Sequence, residues 1–221
     1  MLDCYYMNVS CDCSKEQSLA LYEGLTHDRK KRVDKLRNKT MADKQILISA
    51  FLQRCLSGYV DEAPSQIVFE YNEQGKPYIE SGVQFNMSHS GDYVVLAISD
   101  RAVGIDIERI RHNKLSVAKR FFCEEEYEDI LNAGDEHDRE LRFLEYWTMK
   151  EAYVKYLGKG LSVPLNSFVI KKVPEEDKSV CILSTHFKED YNISLCYRRE
   201  SNSDNLLDED LIKEVRLDEL L

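Results

Sequence analysis

The stretch Trp147-Thr148-Met149-Lys150-Glu151-Ala152-Tyr153-Val154-Lys155 constrains this chain more than any other. Neither Gly nor Pro occurs between Glu140 and Leu157, and Gly158 follows where a helix C-cap is expected. At about 100° per residue, Phe143, Trp147, Val154 and Leu157 fall on one face. Leu144, Thr148, Glu151 and Lys155 form the neighbouring stripe. Glu151 and Lys155 stand one turn apart, so a carboxylate and an ammonium project side by side. In isolation that is a surface ion pair, worth about a few tenths of a kcal/mol.

Ala102-Val103-Gly104-Ile105-Asp106-Ile107-Glu108 reads as a strand. Its period of two puts Asp106 and Glu108 on one face, about 6.6 Å apart along the strand, and Ile105 and Ile107 on the other. Two acids on a strand otherwise built for a core repel one another unless they meet water or a cation. With Glu151 they supply three carboxylates, and hard oxygen donors suit Mg²⁺. The competing reading is an edge strand whose polar side faces water.

Val103-Gly104-Ile105-Asp106, a gap of 40 residues, and then Trp147 to Lys155 resembles the two-part signature of the 4′-phosphopantetheinyl transferases. Gly75-Lys76-Pro77, Asn86-Met87-Ser88-His89-Ser90-Gly91 and Lys119-Arg120-Phe121-Phe122 extend the resemblance over most of the chain. These blocks and the length of 221 residues are similar to the Sfp-type subgroup, which serves surfactin-type peptide synthetases. The resemblance implies an α+β fold: two similar, pseudo-twofold-related lobes of mostly antiparallel sheet packed with helices. Residues 1–103 and 104–221 are the expected lobes, with coenzyme A in the cleft between them. It also implies transfer of the 4′-phosphopantetheine arm to a serine of an apo carrier protein, with release of 3′,5′-ADP. The expected ion is Mg²⁺, with Mn²⁺ as its substitute.

Composition narrows the alternatives. A net charge of −10 argues against a general nucleic-acid surface. No apolar run reaches the length of a membrane span, and the N-terminus lacks a signal-peptide pattern. Seven cysteines without a secretory signal suggest a reducing cytosol, so a cytoplasmic protein is expected, and the resemblance implies a monomer. Cys4, Cys11 and Cys13 lack the spacing of a zinc site and read as strand and loop thiols.

Met1 to Val9 reads as a strand and Ser14 to Leu25 as a helix, with Ser14 as N-cap and Gln17 three residues on. Thr26 to Lys44 is basic, with eight Lys or Arg against three Asp. Such a run is commonly a solvated helix face. Arg can also grip phosphate oxygens in a fork. By resemblance, Arg29, Arg32 and Lys44 are coenzyme A contacts. Met41 to Leu56 is an apolar helix, and Gln66 to Tyr71 is a strand. The turn that follows carries Lys76 and Pro77, which the family places at the adenine nucleotide.

Gln84 to Ser88 and Tyr93 to Ser99 form a hairpin, with Ser88 and His89 assigned by resemblance to coenzyme A phosphates. Arg109 to Leu115 is a polar loop. Leu115 to Phe122, flanked by Lys114 and carrying Lys119 and Arg120, and the loop 158–166 are candidate docking surfaces for an acidic carrier protein. Glu124 to Leu131 is a helix ending near Gly134, and Asp135 to Asp138 is a loop. Leu165 to Lys172, Val180 to Ser184 and Tyr191 to Tyr197 are a second set of strands. Ser201 to Asn205 is a polar loop, and the acidic tail from Leu206 supplies a strand and a short terminal helix.

The expected site joins Asp106, Glu108 and Glu151 as metal ligands, with Asp106 also facing coenzyme A. For Glu151 two roles compete, metal ligand and base for the carrier serine, and Lys155 is a catalytic cation at the α-phosphate or leaving group. Two rivals remain: a Mg²⁺-dependent nucleotide hydrolase, and a non-catalytic module that binds nucleotide or carrier protein.

Overall fold

The computed structural model describes residues 1–73, 75–112, 115–199 and 212–221. Lys114, the loop Ser201 to Asn205 and the start of the acidic tail lie outside the described residues. The first half runs β1 (Leu2–Asn8), α1 (Lys15–Glu23), α2 (His27–Asp34), α3 (Lys39–Ser57), β2 (Glu70–Tyr71), β3 (Pro77–Tyr78), β4 (Gln84–Ser90) and β5 (Tyr93–Ser99). Then come β6 (Val103–Arg109), α4 (Leu115–Phe121), α5 (Glu124–Asn132), α6 (Glu136–Leu157), α7 (Val173–Glu176), β7 (Val180–Phe187), β8 (Tyr191–Arg198) and β9 (Ile212–Glu214).

Alternation along the strands sets the layers. On β5, Val94, Leu96 and Ile98 pack with Leu47, Phe51 and Leu52 of α3, while Val95 and Ala97 point the other way. There they meet Val103, Ile105 and Ile107 of β6 and Ile193 and Leu195 of β8. The opposite face of that second sheet carries α4, α5 and α6 on a third core that includes Phe122, Ile130, Phe143 and Met149. The result is helices, sheet, sheet, helices. The first sheet has the order β4-β5-β1-β9 and the second β6-β8-β7. All pairings are antiparallel except β1 with β9, so the final strand returns to the first sheet.

Local chemistry explains the helix ends. Ser14 and Gln17 form the expected capping box on α1. Asp135 and Asp138 cap α6 in the same reciprocal way, so the loop expected there is the helix's first turn. Gly158 closes α6 with φ +65°, a left-handed conformation glycine adopts at no steric cost.

Of the expected strands, one is cut to two residues and another is absent. Gln66 to Tyr71 ladders only at Glu70–Tyr71, after a 3₁₀ turn at Pro64–Gln66. Ile67 and Phe69 are still buried, so their alternation marks anchors of the core, not a ladder. Leu165 to Lys172 forms 3₁₀ turns at Leu165–Ser167 and Ile170–Lys172. There side chains take the partners a neighbouring strand would supply. Lys150 Nζ donates to the carbonyls of Leu165 and Phe168 (2.7 and 2.6 Å), and Glu126 accepts from the Ile170 N–H (2.9 Å). Arg109, expected in a loop, instead ends β6.

Candidate active site

β4 and β6 are edge strands of different sheets, and they meet through side chains. Asn86, Ser88 and Ser90 alternate along β4. Asn86 accepts the Ile105 N–H (2.9 Å), Ser88 donates to Asp106 Oδ1 (2.7 Å), and Ser90 donates to Glu108 Oε2 (2.7 Å). Ser90 also accepts from the Arg109 N–H (3.2 Å). The acids do share one face of an edge strand, but that face looks at β4 and α6 instead of water.

Helix α6 lies directly on β6 because of Gly104. A Cβ there would sit 2.0 Å from the Ala152 carbonyl oxygen and 2.4 Å from the Tyr156 nitrogen. This close approach brings Lys155 to Asp106. The Lys155 ammonium donates to Asp106 Oδ1 (2.6 Å), Ser88 Oγ (2.9 Å) and the Ile105 carbonyl (3.3 Å). Asp106 is 3% exposed, and its other oxygen, Oδ2, is buried without a hydrogen-bond partner. Glu151 is held above the ordinary carboxylate range, first by burial and then by the charge of Asp106. Glu108 is raised too, by burial foremost and also by Asp106, against the lowering effect of Ser90. The three acids therefore feel one another. Among the described residues, though, no three His, Cys, Asp or Glu side chains stand in metal-binding geometry. A buried, unpartnered carboxylate oxygen beside two mutually repelling acids is a donor set that suits a hard divalent cation.

The other expected contacts surround this seam. Lys44 donates to the Gly91 carbonyl in the turn after β4. His89 is open to solvent on one side and crowded on the other. Partial burial, then Lys44 and Lys155, push its imidazole below the usual range. Lys76 donates to the Lys155 carbonyl at the end of α6 (3.1 Å), and Pro77 pairs with Tyr71 across β2 and β3. Lys76 is thus engaged with the helix terminus, where the sequence reading put it on a phosphate or base. Arg32 lies over the Tyr71 ring (4.6 Å) and 3.6 Å from Asp28. Arg29 is 3% exposed and stacks on Phe69 at 4.2 Å, with Nε and Nη2 buried and unpartnered. That is a desolvated guanidinium with donors to spare, not the solvated charge a basic run suggests.

Sequence reasoning missed Asn86 and Ser90, although their alternation with Ser88 matches the period of Asp106 and Glu108. It also left Lys150 without a role. In the structure Lys150 is fully buried against Glu126 at 2.8 Å.

The profile described as the 4′-phosphopantetheinyl transferase superfamily matches residues 102–204. That of the 4′-phosphopantetheinyl transferase N-terminal region matches residues 11–101. The chain is 31% identical over 204 residues to the 4′-phosphopantetheinyl transferase gsp of Aneurinibacillus migulanus, covering 89% of this chain and 86% of that protein. It is 32% identical over 175 residues to the transferase Sfp of Bacillus subtilis, covering 78% of each. With the transferase HetI of a Nostoc species it shares 39% identity over 133 residues, 57% of this chain and 55% of that one.

Proposed function

The chain belongs to the 4′-phosphopantetheinyl transferase family, and from that premise we propose how its residues divide the work. It transfers the phosphopantetheine arm of coenzyme A to carrier proteins. In our reading the carrier serine attacks the β-phosphorus, the phosphoanhydride bond to the α-phosphate breaks, and 3′,5′-ADP leaves. The acceptor is a carrier protein of the peptidyl, acyl or aryl type.

Asp106, Glu108 and Glu151 would hold Mg²⁺. When bound, the ion supplies positive charge to neutralise the pyrophosphate. The unpartnered Oδ2 of Asp106 is the single observation that carries this assignment. Glu151, raised above the ordinary range by burial, takes the serine proton. Arg29 offers two unpartnered donors to a phosphate, and Arg32, Lys44, Lys76, Pro77, Ser88 and His89 are assigned to coenzyme A with it on the strength of the family resemblance. We read the molecule as a cytoplasmic monomer of two lobes, 1–103 and 104–221, with β9 crossing back to pair with β1.

Intact-mass measurement of an apo carrier protein incubated with enzyme, Mg²⁺ and coenzyme A tests the reading. One added phosphopantetheine supports it. Consumption of coenzyme A with the carrier unchanged would point to a hydrolase, and no change in either would leave a binding module.

A further inference from the structure

We propose that Thr148, Asn192, Ser194 and Ser184 form a register lock that holds α6 at one position along the second sheet and so places Glu151 against Asp106 and Glu108. The inference rests on the assignment of Glu151 above and adds the groups that position it.

Thr148 of α6 and Asn192 and Ser194 of β8 are each 1% exposed or less. With the half-buried Ser184 of β7 their side chains close a ring of hydrogen bonds. Asn192 Nδ2 donates to Thr148 Oγ1 (2.7 Å) and to Ser184 Oγ (2.8 Å). Ser194 Oγ donates to Ser184 Oγ (2.9 Å) and shares a hydrogen bond of 2.7 Å with Thr148 Oγ1. The interface around the ring is apolar. Ile182 and Cys196 continue the same face of the sheet two residues away and pack in one core with Met149 and Ala152 of α6. Polar groups buried in such a place are costly unless each is paired, and apolar side chains of the same size would hold the helix as well. What the paired groups add is position. Apolar surfaces slide with little change in contact, whereas a hydrogen bond weakens steeply once donor and acceptor leave line.

The ring adjoins the acids on both elements. In the antiparallel register Ser194 stands opposite Asp106 and Asn192 opposite Glu108, so all four share the face that α6 covers. On the helix, Glu151 lies three residues beyond Thr148 on the same stripe. A helix that slides therefore carries Glu151 past the two acids. Gly104 lets α6 approach β6, but a glycine has no side chain to stop motion along the strand. The ring supplies that stop from β8. A carboxylate in a site has to be held within about 0.5 Å, whereas the four-carbon stem of Lys155 follows a small shift. The four ring members are positioning residues in this account.

The test separates position from stability. Mn²⁺ affinity is measured by electron paramagnetic resonance with saturating coenzyme A, coenzyme A affinity by calorimetry in EDTA, and stability by urea unfolding in EDTA. The triple variant Thr148→Val, Asn192→Leu and Ser194→Ala replaces the ring by apolar groups of similar size. We expect its urea midpoint and coenzyme A affinity to match wild type and its Mn²⁺ affinity to fall about tenfold. Thr148→Ser, which keeps the hydroxyl, should bind Mn²⁺ as wild type does; a loss there would show that the hydroxyl is not what matters and overturn the lock. Wild-type Mn²⁺ affinity in the triple variant also overturns it, whatever the midpoint. So does a parallel loss of coenzyme A affinity, the mark of a general loss of structure. If the triple variant does not fold, Ser184→Ala at the half-buried corner decides: lower Mn²⁺ affinity upholds the lock, and wild-type affinity overturns it. Wild-type protein that binds no Mn²⁺ with coenzyme A present overturns the metal assignment and the lock with it.

Discussion

Glu151 is the residue whose environment departs furthest from what its neighbours in sequence suggest. Beside Lys155 on a helix it looks like half of a surface ion pair. In the fold Lys155 turns to Asp106, and Glu151 is left half-buried among like charges. Its pKa in the folded protein is raised, so the native state holds this proton more tightly than the unfolded chain does. Stability is therefore lost as pH rises from the unfolded value through the folded one. Glu151→Gln removes that loss. In EDTA the variant should melt at a higher temperature than wild type at pH 8, and the gap should close as pH falls below the ordinary carboxylate range. Calorimetric melting at both pH values checks this, and a lower melting temperature for the variant at pH 8 would contradict it. The identity of this acid was legible from the Lys150-Glu151 pair and its distance from Asp106. Its solvation was not, because burial depends on which sheet the helix lands on.

At the scale of elements, one glycine and one buried ion pair set where α6 lies. Gly104 admits the helix backbone to within contact of β6, and no side chain fits between them. Gly104→Ala should cost about 3 kcal/mol, read as a shift in urea midpoint, with activity lost as Lys155 and Asp106 separate. An unchanged midpoint would mean that α6 is not seated by this contact.

The pair Lys150–Glu126 joins α6 to α5, with side chains 0% and 1% exposed. Its spare donors and acceptors hold the turns from Leu165 to Ile170. Burial lowers the Lys150 pKa against the pull of Glu126, so each charge depends on the other. Breaking such a pair strands a buried charge. Lys150→Met alone should lose about 3–5 kcal/mol, while adding Glu126→Leu should regain the part due to the stranded charge and not the part due to the backbone groups the pair had held. Denaturant unfolding of both proteins decides, and a double variant as unstable as the single one would refute the account. Here the sequence misleads: Leu165 to Lys172 alternates like a strand, but its backbone groups are satisfied by Lys150 and Glu126 from elsewhere in the chain.

Across the whole molecule, the ends of the chain lie in one sheet. β9 pairs in parallel with β1, Lys213 reaches Asp3 at 2.7 Å, and the Val215 N–H bonds to the Tyr6 carbonyl at 2.9 Å. Without β9, β1 becomes an open edge with unpaired N–H and C=O groups, a template for association. A chain ending at Arg199 should therefore elute in size-exclusion chromatography as higher oligomers or aggregate. Elution at the size of the full-length chain would show that β1 tolerates an open edge. The same closure explains why a reading in chain order finds two helix-plus-sheet halves and a strand in the tail, but not the partner of that strand in the first sheet. The partner of β9 lies more than 200 residues away.

The sequence by itself determined the face-sharing of Asp106 and Glu108, the helix carrying Glu151 and Lys155, and the family to which they belong. These are periodic, local facts, fixed by pleat and helical turn. Only the tertiary structure decided that the acidic face of β6 meets the hydroxyls of β4, that Lys155 meets Asp106, and that Arg29 lies buried on Phe69. Each depends on which edges and faces come together, and that is settled by the burial of three separate cores, which no single stretch of residues encodes.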